Sequence, residues 1–426
     1  MFGLLKARRG RFEQGVAFNV ASLAVLGLSG IAINLLIARF GGARDLGVFN
    51  QAYAVYIFAS QLAVGGLQFS VLHFVSHRAA DRAECARIAS SALFLAALTS
   101  LAVAALVAAG RGPAGRLLDS AGVEIALLAV APGLFLFSLN KVILSVLNGL
   151  RQMRAFAIFQ ALRFILILIG VGLILWLDLD GALLAGAFSL AEGVLLIALA
   201  VYLEGRVLPI RWRSVERPWL RRHLAFGWKS FLSGTLSELN TRVDVLTLGL
   251  FLSDRVVGIY SFAAIFAEGL NQLPYVVRNN LDPLLGNRFA DGDLKRIEWY
   301  SRKIRTVFWP GMALLGIVAV GVYSGMISLL FAGTDFASSG GVFAILVLGV
   351  VLSAGYRPFL GILLQGGEPG RYTQLTTLVV AGNLAGNLLL IPFFGMRGAA
   401  AATAAMLVAE ALLVVLYARR LFGVRL

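Results

Sequence analysis

Nine charged residues stand well inside long apolar runs of this chain, more than five residues from either end. The cations are Lys141, Arg163, Arg242 and Arg357; the anions are Glu192, Glu238, Asp244, Glu268 and Glu410. Placing a charge in hydrocarbon costs roughly 2.5–3.5 kcal/mol even on the mildest scale, so such residues face a cavity, a counter-ion or a ligand. The two signs suit different chemistry: Arg and Lys hold phosphate oxygens, whereas a carboxylate in an apolar setting carries a proton or binds a small cation.

Lys141 and Arg357 fall at nearly equivalent places in two apolar runs, each some seven residues from the end of its run. One basic residue from each half at one depth is what a cleft for a phosphate requires; the same placement also lets the side chains snorkel to headgroups. Arg163 lies deeper and favours a cavity. Arg242 lies deeper still, with Glu238 four residues earlier on the same helical face, a spacing that also makes a self-neutralising pair. Asp244 falls on the opposite face from that pair, with Ser237 and Thr241, so this segment is polar on more than one side.

Glu192 and Glu410 lie near the middle of their runs with no nearby counter-charge in sequence. Each is either a proton carrier or a protonated group bonded to a neighbouring helix. Glu268, with Asn271 and Gln272 nearby, is of the same kind. His73 and His77 have a spacing that suits a metal, but no third ligand accompanies them, and a helix end at the interface is the simpler reading. No metal or cofactor is expected.

The elements that position these residues are membrane spans. The chain is 426 residues long, 59% hydrophobic and 14% charged, with a mean hydropathy of +0.85. That composition excludes a soluble domain and predicts an all-α polytopic membrane protein. Runs of about 20 apolar residues, enough to cross a core of about 30 Å as a helix, cover 16–38, 47–72, 88–109, 121–147, 155–176, 181–203, 228–251, 256–277, 306–331, 337–364, 372–394 and 398–418. Counting Lys229 at the edge of its span, 27 of the 37 Lys and Arg fall in alternate connections and 6 in the others. Positive charge stays inside, so both termini are expected in the cytoplasm.

The net charge of +15 follows from that topology and from attraction to anionic lipid, and nucleic acid is not expected as a partner. The lone Cys85 precludes an intrachain disulfide. The basic start, Lys6, Arg8, Arg9 and Arg11, precedes a run too long for a signal peptide. Asp81–Ser91 and Asp293–Arg305 read as short amphipathic helices in the inner interface, the second carrying Trp299 and Tyr300. There is no Walker A pattern and hence no built-in ATP motor. The short outer loops disfavour a membrane glycan polymerase or ligase.

The chain also repeats itself. Leu46–Ala52 matches Val257–Ala263, Gln61-Leu62 matches Gln272-Leu273, and Arg78–Asp81 matches Arg288–Asp291. Further on, Gly149, Arg154 and Gly181-Ala182 match Gly366, Arg371 and Gly398-Ala399. This colinear order predicts two homologous six-helix lobes, 1–204 and 223–426, joined by a cytoplasmic linker, 205–222, that is rich in Arg and Pro. Parallel repeats of this kind are a transporter architecture.

Several segments carry a family resemblance. Asp244-Val245-Leu246-Thr247-Leu248-Gly249-Leu250-Phe251-Leu252-Ser253 followed by Val257–Ala263, the segment Arg39-Phe40-Gly41 to Gly47 to Ala52, and Asn148-Gly149-Leu150-Arg151-Gln152-Met153 resemble polysaccharide transporters of the multidrug/oligosaccharidyl-lipid/polysaccharide exporter superfamily. The resemblance covers essentially the full length. It implies two pseudo-symmetric six-helix lobes forming a V, without the extra helix pair of lipid II flippases. The nearest type is the Wzx-like O-antigen flippase of the bacterial inner membrane, which moves a polyprenyl-pyrophosphate-linked oligosaccharide between leaflets by alternating access. On that reading Lys141, Arg163, Arg242 and Arg357 bind the pyrophosphate, and Glu192, Asp244, Glu268 and Glu410 are positions for a coupling proton or sodium ion. The alternative within the superfamily is a cation-coupled multidrug extruder, whose cavity is expected to be net acidic.

Overall fold

The computed structural model describes residues 25–426, with backbone alone at 212 and 232–240. The basic N-terminal cluster, the start of the first expected span and the side chain of Glu238 lie outside the described residues. The described chain is helical: α1 (Val25–Phe40), α2 (Gly42–Val64), α3 (Leu67–His77), α4 (Arg82–Leu117), α5 (Ala121–Gly149), α6 (Met153–Trp176), α7 (Gly186–Arg206), α8 (Arg217–Asn240), α9 (Val243–Phe251), α10 (Asp254–Ala290), α11 (Leu294–Lys303), α12 (Trp309–Leu330), α13 (Gly340–Ser353), α14 (Ile362–Gln365) and α15 (Pro369–Phe422). Helix is forced on these runs because hydrocarbon offers backbone N–H and C=O groups no partner but each other. Short polar residues mark the starts: Asp81 accepts from Glu84 N–H, Ser120 from Val123 N–H and Asp293 from Arg296 N–H.

Eight helices among the described residues are long and apolar enough to cross a membrane, or nine if α2 and α3, bent by 48° at Gly65-Gly66, make one span. The 54-residue α15 contains two of the expected spans, joined at Gly395, whose φ of 55° and ψ of −138° suit a residue without Cβ. Large apolar side chains cover the outer faces: Leu329 is 85% exposed and Phe393 81%. These are lipid-facing surfaces of a multi-pass membrane protein.

Two segments differ from expectation. Residues 82–91 are no separate interfacial helix but the first turns of α4, and Cys85 is buried there, its thiol against Arg78 O at 3.1 Å. The expected span 337–364 is broken after Ser353 and resumes through a tight turn at Arg357–Phe359 into α14. Pro358 lacks an N–H for the helical ladder, and a Cβ on Gly361 would fall 1.9 Å from Asp282 Oδ1. By contrast, Asp293–Arg305 does contain a short helix, α11, which buries Ile297 and Ser301 and leaves Trp299 partly exposed.

The chain divides into two compact units, Met1–Glu238 and Leu239–Leu426. In the first, α5 is central and packs on α2, α3, α4 and α7. The 205–222 segment is fastened to α4: Arg211 N–H and Glu216 N–H donate to Ser90 and Ser91 hydroxyls, and Arg82 donates to Val207 O. The start of α8 follows, with Trp219 buried and His223 held between the Ser70 hydroxyl at 2.8 Å and Ile88 O at 3.1 Å. At Gly227, α8 meets the bend between α2 and α3. A Cβ on Gly66 (φ +77°) would lie 2.4 Å from Gly227 O, and one on Gly227 would lie 2.7 Å from Gly65 O.

In the second unit, α15 packs on α9 and α13, and α10 on α13. A core of Leu285, Ile297, Phe359, Ile362 and Val414 draws in the C-terminal Val424 and Leu426.

Two outcomes follow. Gly66→Ala or Gly227→Ala lowers the thermal midpoint of the detergent-solubilised protein sharply, whereas Gly321→Ala, whose Cβ would meet nothing within 4 Å, leaves it unchanged or raises it slightly. His223 precedes the apolar run of α8, and burial lowers its pKa from 6.5 to about 4. The unfolded chain therefore binds the extra proton between those values. Stability falls as pH drops from about 6.5 towards 4, by a total on the order of 3 kcal/mol, and His223→Gln flattens that part of the melting-versus-pH profile.

Candidate functional site

In the first unit the charges gather around Phe137. Arg163 on α6 and Glu192 on α7 form a buried pair, 8% and 1% exposed. Arg163 Nε lies 2.8 Å from Glu192 Oε1, off the line of a hydrogen bond but within ion-pair range, and Nη2 donates to Oε2 at 3.3 Å. Asn140 on α5 donates to the same Oε2 at 2.7 Å and to the Glu192 carbonyl at 2.9 Å. Lys141, the next residue, turns its ammonium towards Gln61 at 3.5 Å. The Phe137 ring sits beneath both cations, 4.7 Å from the Arg163 guanidinium and 5.2 Å from the Lys141 ammonium, a placement that favours them through the ring quadrupole. Tyr56 meets the Phe137 edge and stacks on Phe188.

In the second unit a cavity of about 130 Å³ is lined by Arg242, Asp244, Tyr260, Glu268, Tyr275, Arg357, Asn383 and Glu410, among others. Arg242 and Arg357 both sit at helix breaks: Arg242 precedes α9 with φ −133°, and Arg357 opens the tight turn after α13. Irregular backbone is tolerated at membrane depth where it lines a cavity. Arg242 Nη2 lies 3.6 Å from Glu268 Oε2. Arg357 Nη2 lies 3.3 Å from Glu410 Oε2 and donates to the Tyr275 hydroxyl at 2.9 Å. Arg357 is only 3% exposed, yet its Nε and Nη1 have no hydrogen-bond partner among the described residues. Asp244 accepts from the Tyr260 hydroxyl and from Val245 N–H at 2.8 Å.

Several expectations change. Glu192 and Glu410 are not isolated carboxylates, since each has an arginine brought in from a distant helix or turn. Arg357 does not snorkel, because its guanidinium is enclosed by protein. Arg242 and Asp244 share one cavity rather than opposite helix faces, because the helix breaks between α8 and α9 just before Arg242. The Glu238–Arg242 pairing lies outside the described residues. His77 Nδ1 is 2.7 Å from His73 O, and His73 stacks on Phe226. Among the described residues no group of three His, Cys, Asp or Glu side chains is placed to hold a metal.

A family model described as "Polysaccharide biosynthesis protein" matches residues 14–273, more than half of the chain. The chain belongs to that family. Among solved structures, an inward-facing multidrug resistance MATE family transporter of the MOP superfamily superposes with a TM-score of 0.77 at 16% identity, covering 92% of this chain and 93% of that one. The lipid II flippase MurJ in an inward closed conformation gives 0.74 at 16% identity, covering 95% and 87%. A point mutant of the Vibrio cholerae MATE transporter VcmN gives 0.64 at 15% identity, covering 96% of each chain. At these identities the likeness establishes the fold, that of the MOP superfamily transporters. No curated protein sequence matches the chain.

Sequence reasoning missed Asn140, Tyr260 and Tyr275. Asn140 had a signal, a second polar residue beside Lys141 in an otherwise apolar helix. The two tyrosines had none, because their hydroxyls matter only through partners distant in sequence.

The Arg163–Glu192 pair makes a stability prediction. Arg163→Ala strands a buried carboxylate and costs about 3–5 kcal/mol, while Arg163→Met combined with Glu192→Leu costs less than Arg163→Ala alone. Denaturation of the purified variants in detergent checks the order.

Proposed function

We propose that this protein is a flippase that moves a polyprenyl-pyrophosphate-linked oligosaccharide across the bacterial cytoplasmic membrane for lipopolysaccharide or exopolysaccharide biosynthesis. The observation that carries the reading is Arg357, a buried arginine on a cavity among apolar helices with two nitrogens free of protein partners among the described residues, in a chain of the polysaccharide biosynthesis family. An Arg fork matches the oxygens of a phosphate. Lys141, Arg163, Arg242 and Arg357 are the proposed pyrophosphate contacts. A sugar head crossing bare hydrocarbon would lose its hydrogen bonds, so the protein supplies a polar path while the polyprenyl tail stays in lipid. Alternating access exposes the head first to the cytoplasmic side, where both termini lie on this reading, and then to the other.

An inside-negative potential favours the outward passage of two negative charges by about 4.6 kcal/mol per 100 mV, at about 2.3 per charge. Exchange of a proton or sodium ion at Glu192, Asp244, Glu268 or Glu410 adds a second drive.

One observation favours the second reading, a cation-coupled multidrug extruder. The cavity of the second unit holds three carboxylates, Asp244, Glu268 and Glu410, against two arginines, Arg242 and Arg357. An acidic cavity suits a cationic drug.

Deleting the gene and labelling the lipid-linked oligosaccharide with a membrane-impermeant sugar reagent, on intact cells and on inside-out vesicles, separates the two. The flippase reading expects outward exposure to fall at least about tenfold with synthesis intact, and Arg357→Gln to reproduce much of that loss. Normal exposure with new sensitivity to cationic drugs refutes it in favour of the extruder.

A further inference from the structure

The Arg163–Glu192 and Arg357–Glu410 pairs are built differently. Glu192 is fixed: it is 1% exposed, meets Arg163 through both oxygens and takes two further bonds from Asn140. Glu410 is held loosely: it is partly exposed to the cavity and lies 3.3 Å from a single nitrogen of Arg357. Arg357 directs both its protein contacts, Glu410 and Tyr275, through that same Nη2. Its Nε and Nη1 remain buried without a protein partner among the described residues. A buried guanidinium with open donors is costly unless something else fills them, and the cavity beside it supplies the room.

We propose that Arg357 and Glu410 act as a charge swap, in which an anionic phosphate oxygen takes the open donors of Arg357 while Glu410, losing its counter-ion, takes up one proton from water. This rests on the pyrophosphate reading and adds which carboxylate answers to the substrate. Such a step lowers the negative charge that the substrate meets. Arg242 and Glu268 lie 3.6 Å apart, Asp244 is engaged by Tyr260, and Tyr275 is engaged by Arg357. With all five charged side chains ionised the cavity carries one net negative charge, so a dianion entering without a proton meets repulsion. Protonating Glu410 brings the empty cavity to neutrality and leaves both arginines charged. The swap also removes the objection that an acidic cavity raises against an anionic substrate. Glu192, held by Arg163 through both oxygens, is the less ready of the two to answer the substrate.

The test uses the purified full-length protein in nanodiscs with geranyl pyrophosphate as probe and geraniol as its uncharged control. Titration calorimetry in two buffers of different ionisation heat counts protons taken up per anion. The wild type is expected to take up about one proton more per bound anion than Glu410→Gln, and its affinity to weaken about tenfold per pH unit on the alkaline side while that of Glu410→Gln stays nearly flat. Arg357→Gln is expected to lose binding of the pyrophosphate probe and leave geraniol unaffected. Thermal melting of each variant confirms that it is folded. Equal proton counts in wild type and Glu410→Gln, with both binding the probe, overturn the swap and leave the pyrophosphate reading standing. Failure of folded wild type to bind the probe at any pH across the neutral range overturns both.

Discussion

A charge inside a membrane bundle has to bring its opposite with it, and this requirement arranges the interior of the protein. Arg163 meets Glu192 in the first unit, and Arg357 meets Glu410 in the second. The two carboxylates follow the repeated Gly-Ala pair at 11 and 12 residues, and their partners come from different elements: α6 in one unit and the turn after α13 in the other. Desolvation explains why neither pair is left half-made, since removing one member leaves a bare charge in a medium that cannot solvate it.

The breaks in the helices depend on the same rule. An unbroken helix satisfies its own backbone, so it gives a polar site only what its side chains offer. Where α8 yields to α9, and where α13 gives way to the turn at Arg357–Phe359, the chain gives up ladder bonds at the places where two arginines enter the cavity. At the second break Pro358 offers no N–H to the ladder, and Gly361 leaves room for Asp282 of α10.

Much of this was legible in the sequence. Hydropathy located the apolar helices, and the expected connection at 395–397 is where Gly395 kinks the longest one. All eight proposed site residues lie in one or other of the two polar clusters. The partnerships were not legible. Hydropathy reports how a residue prefers its surroundings and carries nothing about which distant residue shares them, so Glu192 read as isolated although Arg163 and Asn140 surround it. Nor does a window of apolar residues register a break in the backbone, and so 228–251 and 337–364 read as continuous. Residues 81–91 read as a separate helix for a related reason: the pattern turns apolar from Ala92 while the backbone of α4 runs on without a break.

Gly66 and Gly227 constrain how this chain can change by descent. Most tight contacts in a protein core can drift, because a larger side chain on one side is answered by a smaller one on the other. Here the Gly227 carbonyl lies where a Cβ on Gly66 would be and the Gly65 carbonyl where a Cβ on Gly227 would be, and no residue is smaller than glycine. A change at either position therefore has no second-site suppressor at its partner, and the bend between α2 and α3 and the helix that crosses it can only be inherited together.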